Sequence, residues 1–315
     1  MKKRFFLFLI ISSVVLSLTA QNQTAKVKGQ ELKLEKVQEL KLDNGKAIII
    51  YSNGTWSEIR ELKLDNGKNI IVYSDGTWKE KIFKRPTIEW VSIPAGTFTM
   101  GSQASEVDRL NDETQHQVTI AAFKMSKYEI TFEQYDLFCE ETNRTKPSDD
   151  DWGRGKLPVI KVSWEDAKAF AEWMGCRLPT EAEWEYACRA GSTTVFSSGD
   201  NLTALQANYN ASAPYNNNAV GEYKQKTLPG GSFAANAFGL FDMHGNVWEW
   251  CSDWHNGAYS KESQTNPKGD AAGYDRVYRG GSWRSDGKDC RSARRNHTIP
   301  STRLNTVGIR LVSLQ

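Results

Sequence analysis

From Gly191 to the C-terminus the chain carries no sustained helical or strand periodicity and is dominated by Gly, Asn, Ser and Trp. A stretch of that kind must fold as irregular loops held by aromatic packing, because glycine permits turns that other residues resist and large rings supply the buried area. Whole-chain composition agrees: aromatics make up 11%, with 11 Trp and 24 Gly, which describes a well-cored but loop-rich fold.

Ahead of that stretch the local signals are clearer. Lys84-Arg85-Pro86 marks a boundary, and the main domain is assigned to 86–315. Glu89 to Gly101 reads as a short strand, a turn and another strand. One helix is predicted from Thr131, with Phe132, Tyr135, Phe138 and Cys139 on one face. A second starts at Ser163 as N-cap, with Asp166 three places on, and covers Ala167 to Met174. A third opens at Thr180, whose side chain can cap while Glu183 reaches back, and runs through Trp184 to Cys188.

The N-terminal part is of another kind. Met1-Lys2-Lys3-Arg4 followed by the apolar run Phe5 to Leu18, about fourteen residues, reads as a signal peptide over 1–20, cut after Ala20. The run is too short to span a bilayer, so no membrane span is expected in the mature chain. A retained anchor is the alternative, since Leu18 is not small. After a linker at 21–38, ELKLDNGKAIIIYSNGTW recurs as ELKLDNGKNIIVYSDGTW about 22 residues later, a tandem repeat over 39–80. Each Asp-Asn-Gly separates two β-prone runs, so each copy is expected to be a hairpin, anchored by Trp56 or Trp78. Spacer and partner-binding module are both open for the pair.

Charge narrows the partners. The 40 basic and 38 acidic side chains lose Lys2, Lys3 and Arg4 with the leader, which leaves a net charge near −1 and implies neither nucleic acid nor anionic membrane as a partner. The five cysteines, Cys139, Cys176, Cys188, Cys251 and Cys290, show no C-x-x-C spacing, so zinc is not expected and an exported protein could form disulfides.

Six blocks carry a resemblance: Ile93-Pro94-Ala95-Gly96 with Phe98 and Met100-Gly101; Leu157-Pro158-Val159 with Val162-Ser163-Trp164; Arg177 to Ala187; Phe238 to Trp250; Arg279-Gly280-Gly281-Ser282-Trp283; and Gly308-Ile309-Arg310. Together and in this order they resemble the formylglycine-generating enzyme, or sulfatase-modifying factor, family. The resemblance implies an α+β fold, a variant of the C-type-lectin-like architecture with little regular secondary structure, here preceded by the tandem hairpins. It also implies structural calcium, held by the side chains of Asp242 and Glu249 and the carbonyls of Gly245 and Val247, a hard-oxygen set suited to that ion. A second family site would use Asn208 and the carbonyl of Tyr209, but the acidic loop completing it is not recognisable.

The family's chemistry is oxidation of a substrate cysteine, in a C-x-P-x-R segment of a sulfatase, to formylglycine by O₂, using two cysteines that hold Cu(I). Aligned without a gap, those positions fall on Ser285 and Cys290; with a deletion Cys290 matches neither. Either way a copper ligand is missing, and Cys290 is the one catalytic candidate. Structurally, Cys290 reads as a packed thiol or as the disulfide partner of Cys188, a pairing close to one the resemblance implies. His116, His244, His255 and His297 do not form the H-x-x-x-H-x-E motif of the iron-dependent sulfoxide synthases. A Cys–His nucleophile pair, which meets only in space, stays open.

Two functions follow. The favoured one is a non-catalytic, ligand-binding member whose open face, around Trp248, Ser282, Trp283, Arg284 and Ser285 with the polar tail to Asn305, contacts a protein or peptide; the same fold serves retroelement-variable proteins as a binding surface. The alternative is an active copper-dependent formylglycine-generating oxidase. Both place the protein outside the cytoplasm, in a periplasm, at a surface or in the medium.

Overall fold

The computed structural model describes residues 84–314 in full and, N-terminal to them, the backbone of several short strands. The chain divides into two compact units, Met1–Phe83 and Lys84–Gln315. In the first, Phe5–Ile11 pairs antiparallel with Val14–Ala20, and the sheet continues through Val37–Leu42 and Ala47–Ile48. A second sheet joins Arg60–Lys63, Asn69–Val72 and Trp78–Glu80, with Lys63 opposite Asn69. The linker after Ala20, both Asp-Asn-Gly turns and Trp56 lie outside the described residues. Among the described residues no helix is long and apolar enough to cross a membrane.

The second unit contains the three helices, α1 (Phe132–Thr142), α2 (Trp164–Trp173) and α3 (Glu181–Arg189). Each opens on the residue expected, and each N-cap forms the full reciprocal box: Thr131 with Gln134, Ser163 with Asp166, Thr180 with Glu183. Around them lie three small sheets. One orders Cys176–Arg177, Val312–Ser313, Phe123–Ser126 and Trp90–Ile93; another Gln264–Thr265, His116–Ile120 and Gly96–Met100; the third Arg295–Thr298, Asp275–Arg279, Trp248–His255 and Val307–Gly308. The result is an α+β fold with low regular secondary structure, as the sequence indicated.

Strands do form beyond Gly191, where none was expected. In Trp248–His255 the first four residues are all buried instead of alternating, and the pairing with Asp275–Arg279 shifts register between Trp250 and Trp254. A strand covered on both faces and interrupted by an irregularity leaves no period-two trace.

Rings fill the interior. Phe138 packs edge-on against Phe170 at 5.5 Å, and Tyr278 packs edge-on against both Trp248 and Trp250, at 5.2 and 5.3 Å. Between these rings runs a chain of buried ion pairs centred on α3. Glu181 receives Arg279 Nη1 at 2.9 Å and Arg295 Nε at 2.8 Å. Glu185 is shared by Arg279 and Arg189 and also accepts the Gly101 N–H at 2.9 Å. Glu113 pairs with Arg291, and Glu249 with Arg310. Arg279, Arg291 and Arg310 are all 0% exposed, which ordinary charged side chains avoid unless fully partnered. Burial pushes the Glu181 and Glu185 carboxyls up, but the neighbouring guanidinium groups outweigh it and hold both below the usual range.

Candidate functional site

The third sheet leads directly into the site. Leaving Asp275–Arg279, the chain turns through Gly280 (φ +101) and Gly281 (φ +80), conformations that side-chain-bearing residues resist. A Cβ at Gly281 would lie 2.4 Å from Cys290 Sγ, so only glycine lets this turn seat against the short helix Gly287–Cys290. The turn is tightened by Ser282, whose N–H donates to Ser285 Oγ at 3.0 Å, with the two hydroxyls 3.1 Å apart.

In front of the turn opens a cleft of about 460 Å³. Its walls bring together four of the five residues expected on the binding face: Trp248, Ser282, Arg284 and Ser285. Trp283 is the exception. Its ring stands edge-on to Trp152 at 5.2 Å and stacks on Tyr223 at 6.3 Å, while Nε1 donates to the Asn305 carbonyl at 3.0 Å. At 7% exposure it packs behind the turn and does not line this cleft. Sequence reasoning did not single out Tyr278, which lies within a strand that has no periodic signal, although the tail residues Asp289, Arg294 and Asn296 were within the expected polar stretch. Arg294 is paired with Asp289 at 2.9 Å, whereas Arg284 is exposed.

Cys290 does not reach this cleft. It is 0% exposed and packs with Phe196, Tyr209 and Tyr215. The disulfide expected from Cys188 to Cys290 is absent, and all five cysteines are free and buried. The two side chains belong to different packed clusters, Cys188 with Met243 and Cys251 and Cys290 with Phe196 and Tyr209, and each residue contacts the His244 ring: Nδ1 donates to the Cys290 carbonyl at 2.8 Å, and Nε2 lies 3.8 Å from Cys188 Sγ. A Cys–His contact thus exists, but in an inert protonation state. Burial pushes the Cys188 thiol up to about 12 and His244 down to about 4, so the pair is thiol and neutral imidazole, the reverse of an activated nucleophile. Nε2 also accepts from Ser197 N–H at 3.0 Å.

The calcium set implied by the resemblance fits poorly. Glu249 is closed: Oε2 accepts Trp184 Nε1 at 2.6 Å, and both oxygens take Arg310. A guanidinium already neutralises that carboxylate and would repel a second cation. Asp242 Oδ2 accepts the Gly231 N–H at 2.6 Å, and burial raises its pKa to about 6. Beside the loop lies Glu129, a buried carboxylate that the motif did not flag, which accepts the Val247 N–H at 3.2 Å. Among the described residues, no three His, Cys, Asp or Glu side chains converge on a metal position. The second position is different. Asn208 Oδ1 and Thr227 Oγ1 are both buried without a hydrogen-bond partner, although Asn208 Nδ2 is satisfied by Lys226 O and Asn246 Oδ1. Orphaned hard oxygens of this kind are what a calcium ion satisfies.

With this geometry in place, comparison with known proteins is informative. Residues 79–314 match the Sulfatase-modifying factor enzyme 1-like domain. The formylglycine-generating enzyme of Mus musculus is 31% identical over 274 residues, covering 70% of this chain and 73% of that protein. Among solved structures, PvdO from Pseudomonas aeruginosa aligns with a TM-score of 0.62 at 27% identity, over 82% of this chain and 98% of its own. Treponema denticola variable protein 1 shares the fold with a TM-score of 0.61 at 24% identity, over 74% and 99%.

Proposed function

Because the chain belongs to the sulfatase-modifying factor family, whose members include formylglycine-generating enzymes, we propose that it keeps the family scaffold and uses the Trp248–Ser285 cleft to bind a protein or peptide segment without oxidising it. One observation carries this reading: no thiol stands in the cleft. Every cysteine is buried, and burial pushes each thiol above its ordinary range, Cys139 to about 11 and Cys251 and Cys290 well above the ordinary thiol value. Cu(I) selects soft thiolate ligands, and the cleft offers the hydroxyls of Ser282 and Ser285 instead. Arg284, Asn296 and the aromatic edge of Tyr278 suit an extended peptide, with polar groups to orient it and ring surface to bury.

The decisive experiment gives the reduced, Cu(I)-loaded full chain a C-x-P-x-R peptide in air. Mass spectrometry is expected to find no formylglycine above the metal-only control. Turnover that disappears in Cys290→Ala would establish the oxidase instead. Export, with a leader ending at Ala20, belongs to the same reading and is supported by the basic residues ahead of the apolar run.

Structural calcium is assigned to the unpartnered Asn208 Oδ1 and the neighbouring Tyr209 carbonyl, and not to the Asp242–Glu249 loop, whose Glu249 is already paired with Arg310. Chelation should then lower Tm, with a loss of about 2–3 kcal/mol if the ion was present at a hundredfold its Kd. Asn208→Ala should erase the difference between chelator and added Ca²⁺. Glu249→Gln should destabilise by equal amounts in both. Identical melting of the unmodified protein with and without chelator removes the metal from the account.

A further inference from the structure

We propose that a second cleft, remote in sequence from the Ser282–Asn305 turn, is a binding site for a neutral oligosaccharide. This cleft, of about 810 Å³, runs along the outer strand Gly96–Met100, the loop that follows it and the C-terminal end of α3. Its size falls in the range of small-molecule sites, roughly 300–1,000 Å³.

Three features of its lining select the ligand class. The first is charge. Glu106 and Arg189 are the charged residues in the lining, and both are committed elsewhere. Glu106 pairs with Arg291. The Arg189 guanidinium is divided among Glu185 at 2.8 Å, the Gly101 carbonyl at 2.9 Å and the Thr194 carbonyl at 3.2 Å. No cation is left to attract a phosphate, a sulfate or a uronic acid, so an anionic ligand has nothing to recognise it. The second is the rim. Gln103, Ser105, Gln115 and Thr193 are exposed, their side chains make no hydrogen bond within the described protein, and as amides and hydroxyls they both donate and accept. Ligand hydroxyls have the same dual character, which a rim of charged donors or acceptors would match in one sense only. The third is the floor. Tyr186 lies between Phe98 and Phe238, with centroids at 5.2 and 5.7 Å, and both phenylalanines are half-buried. An aromatic surface below neutral hydrogen-bonding groups suits a ligand with an apolar C–H face and a polar edge, which is the form of a pyranose ring.

Strand Gly96–Met100 is an outer strand, so a peptide could add to it by main-chain pairing. The lining favours the sugar, because main-chain pairing would leave the unengaged glutamine amides without a role. The two are separated by experiment. The full chain is screened on an array carrying neutral, sulfated and uronic oligosaccharides, and hits are measured by calorimetry. Binding to neutral glycans is expected, with affinity unchanged by a tenfold rise in salt, since no ion pair forms. The double variant Q103A/Q115A, both on the surface, should weaken binding by about tenfold or more at unchanged Tm, the loss of roughly 1.4 kcal/mol of hydrogen bonding. Phe98→Leu, which keeps an apolar core residue, should weaken it as well. An array with no neutral hit, binding that falls steeply with salt, full affinity in Q103A/Q115A, or displacement of the glycan by an unstructured peptide would each overturn the proposal. Arg284 and Asn296 belong to the other cleft, so loss of peptide binding there leaves this test untouched.

Discussion

Arg279→Ala should lower the stability of the Lys84–Gln315 unit by about 3–5 kcal/mol, a fall in Tm on the order of 10 °C. Arg279 is 0% exposed and supplies counter-charge to Glu181 and Glu185, which are themselves 3% and 0% exposed. Removing it leaves two carboxylates in a low-dielectric interior with only Arg295 and Arg189 beside them, and an uncompensated buried charge is the expensive outcome. Arg177→Ala is the matched control. Its bidentate pair with Glu183, at 2.6 Å on each arm, involves an arginine side chain that is 38% exposed, where water already screens the charges. A change within about 1 kcal/mol is expected there. If urea unfolding gives the two variants the same loss, the buried network is not the element that holds this fold.

Asp253→Asn is expected to act in the opposite direction, and only above mildly acidic pH. Burial, reinforced by the nearby Glu181 charge, raises the Asp253 carboxyl from 3.8 to about 7, against the Glu181 N–H that donates to it at 2.9 Å. The folded state therefore binds this proton more tightly than the unfolded chain does. Its contribution is fully present below about pH 4 and is lost as pH rises through 7, where the folded protein must carry a buried charge. An amide of the same shape can still accept from Glu181 N–H and has no charge to bury. The stability of Asp253→Asn relative to the parent should thus rise by on the order of 2–4 kcal/mol between pH 4 and pH 8. A difference that stays flat across this range would show that Asp253 titrates normally.

The legible parts of this chain were the ones written in local chemistry. Thr131, Ser163 and Thr180 announce three helices because a capping box is contained within four consecutive residues. Phe132, Tyr135, Phe138 and Cys139 announce a buried face because helical geometry fixes their direction. The candidate cleft was half legible: Trp248, Ser282, Arg284 and Ser285 do meet. Trp283 was misplaced because no periodic rule says where a side chain points after two glycines at positive φ. The buried arginines were invisible for a related reason. Arg279 and Arg310 read as surface residues until Glu185 and Glu249 arrive beside them from distant segments. Of the two readings of Cys290 the packed thiol holds and the Cys188 bridge does not, because the two side chains pack into different clusters, which spacing along the chain cannot reveal.

The spacing of the ion pairs also sets a clock on synthesis. Glu181 and Glu185 leave the ribosome 94 to 114 residues before Arg279 and Arg295, the arginines that neutralise them. At ordinary rates of translation this is a wait of roughly 5–25 s during which the two α3 carboxylates lack these counter-charges. Arg310, which closes Glu249, follows it by 61 residues. The buried network can therefore close only once these later arginines are made, and a truncation that begins at Arg310 would leave the Glu249 carboxylate buried without its guanidinium partner.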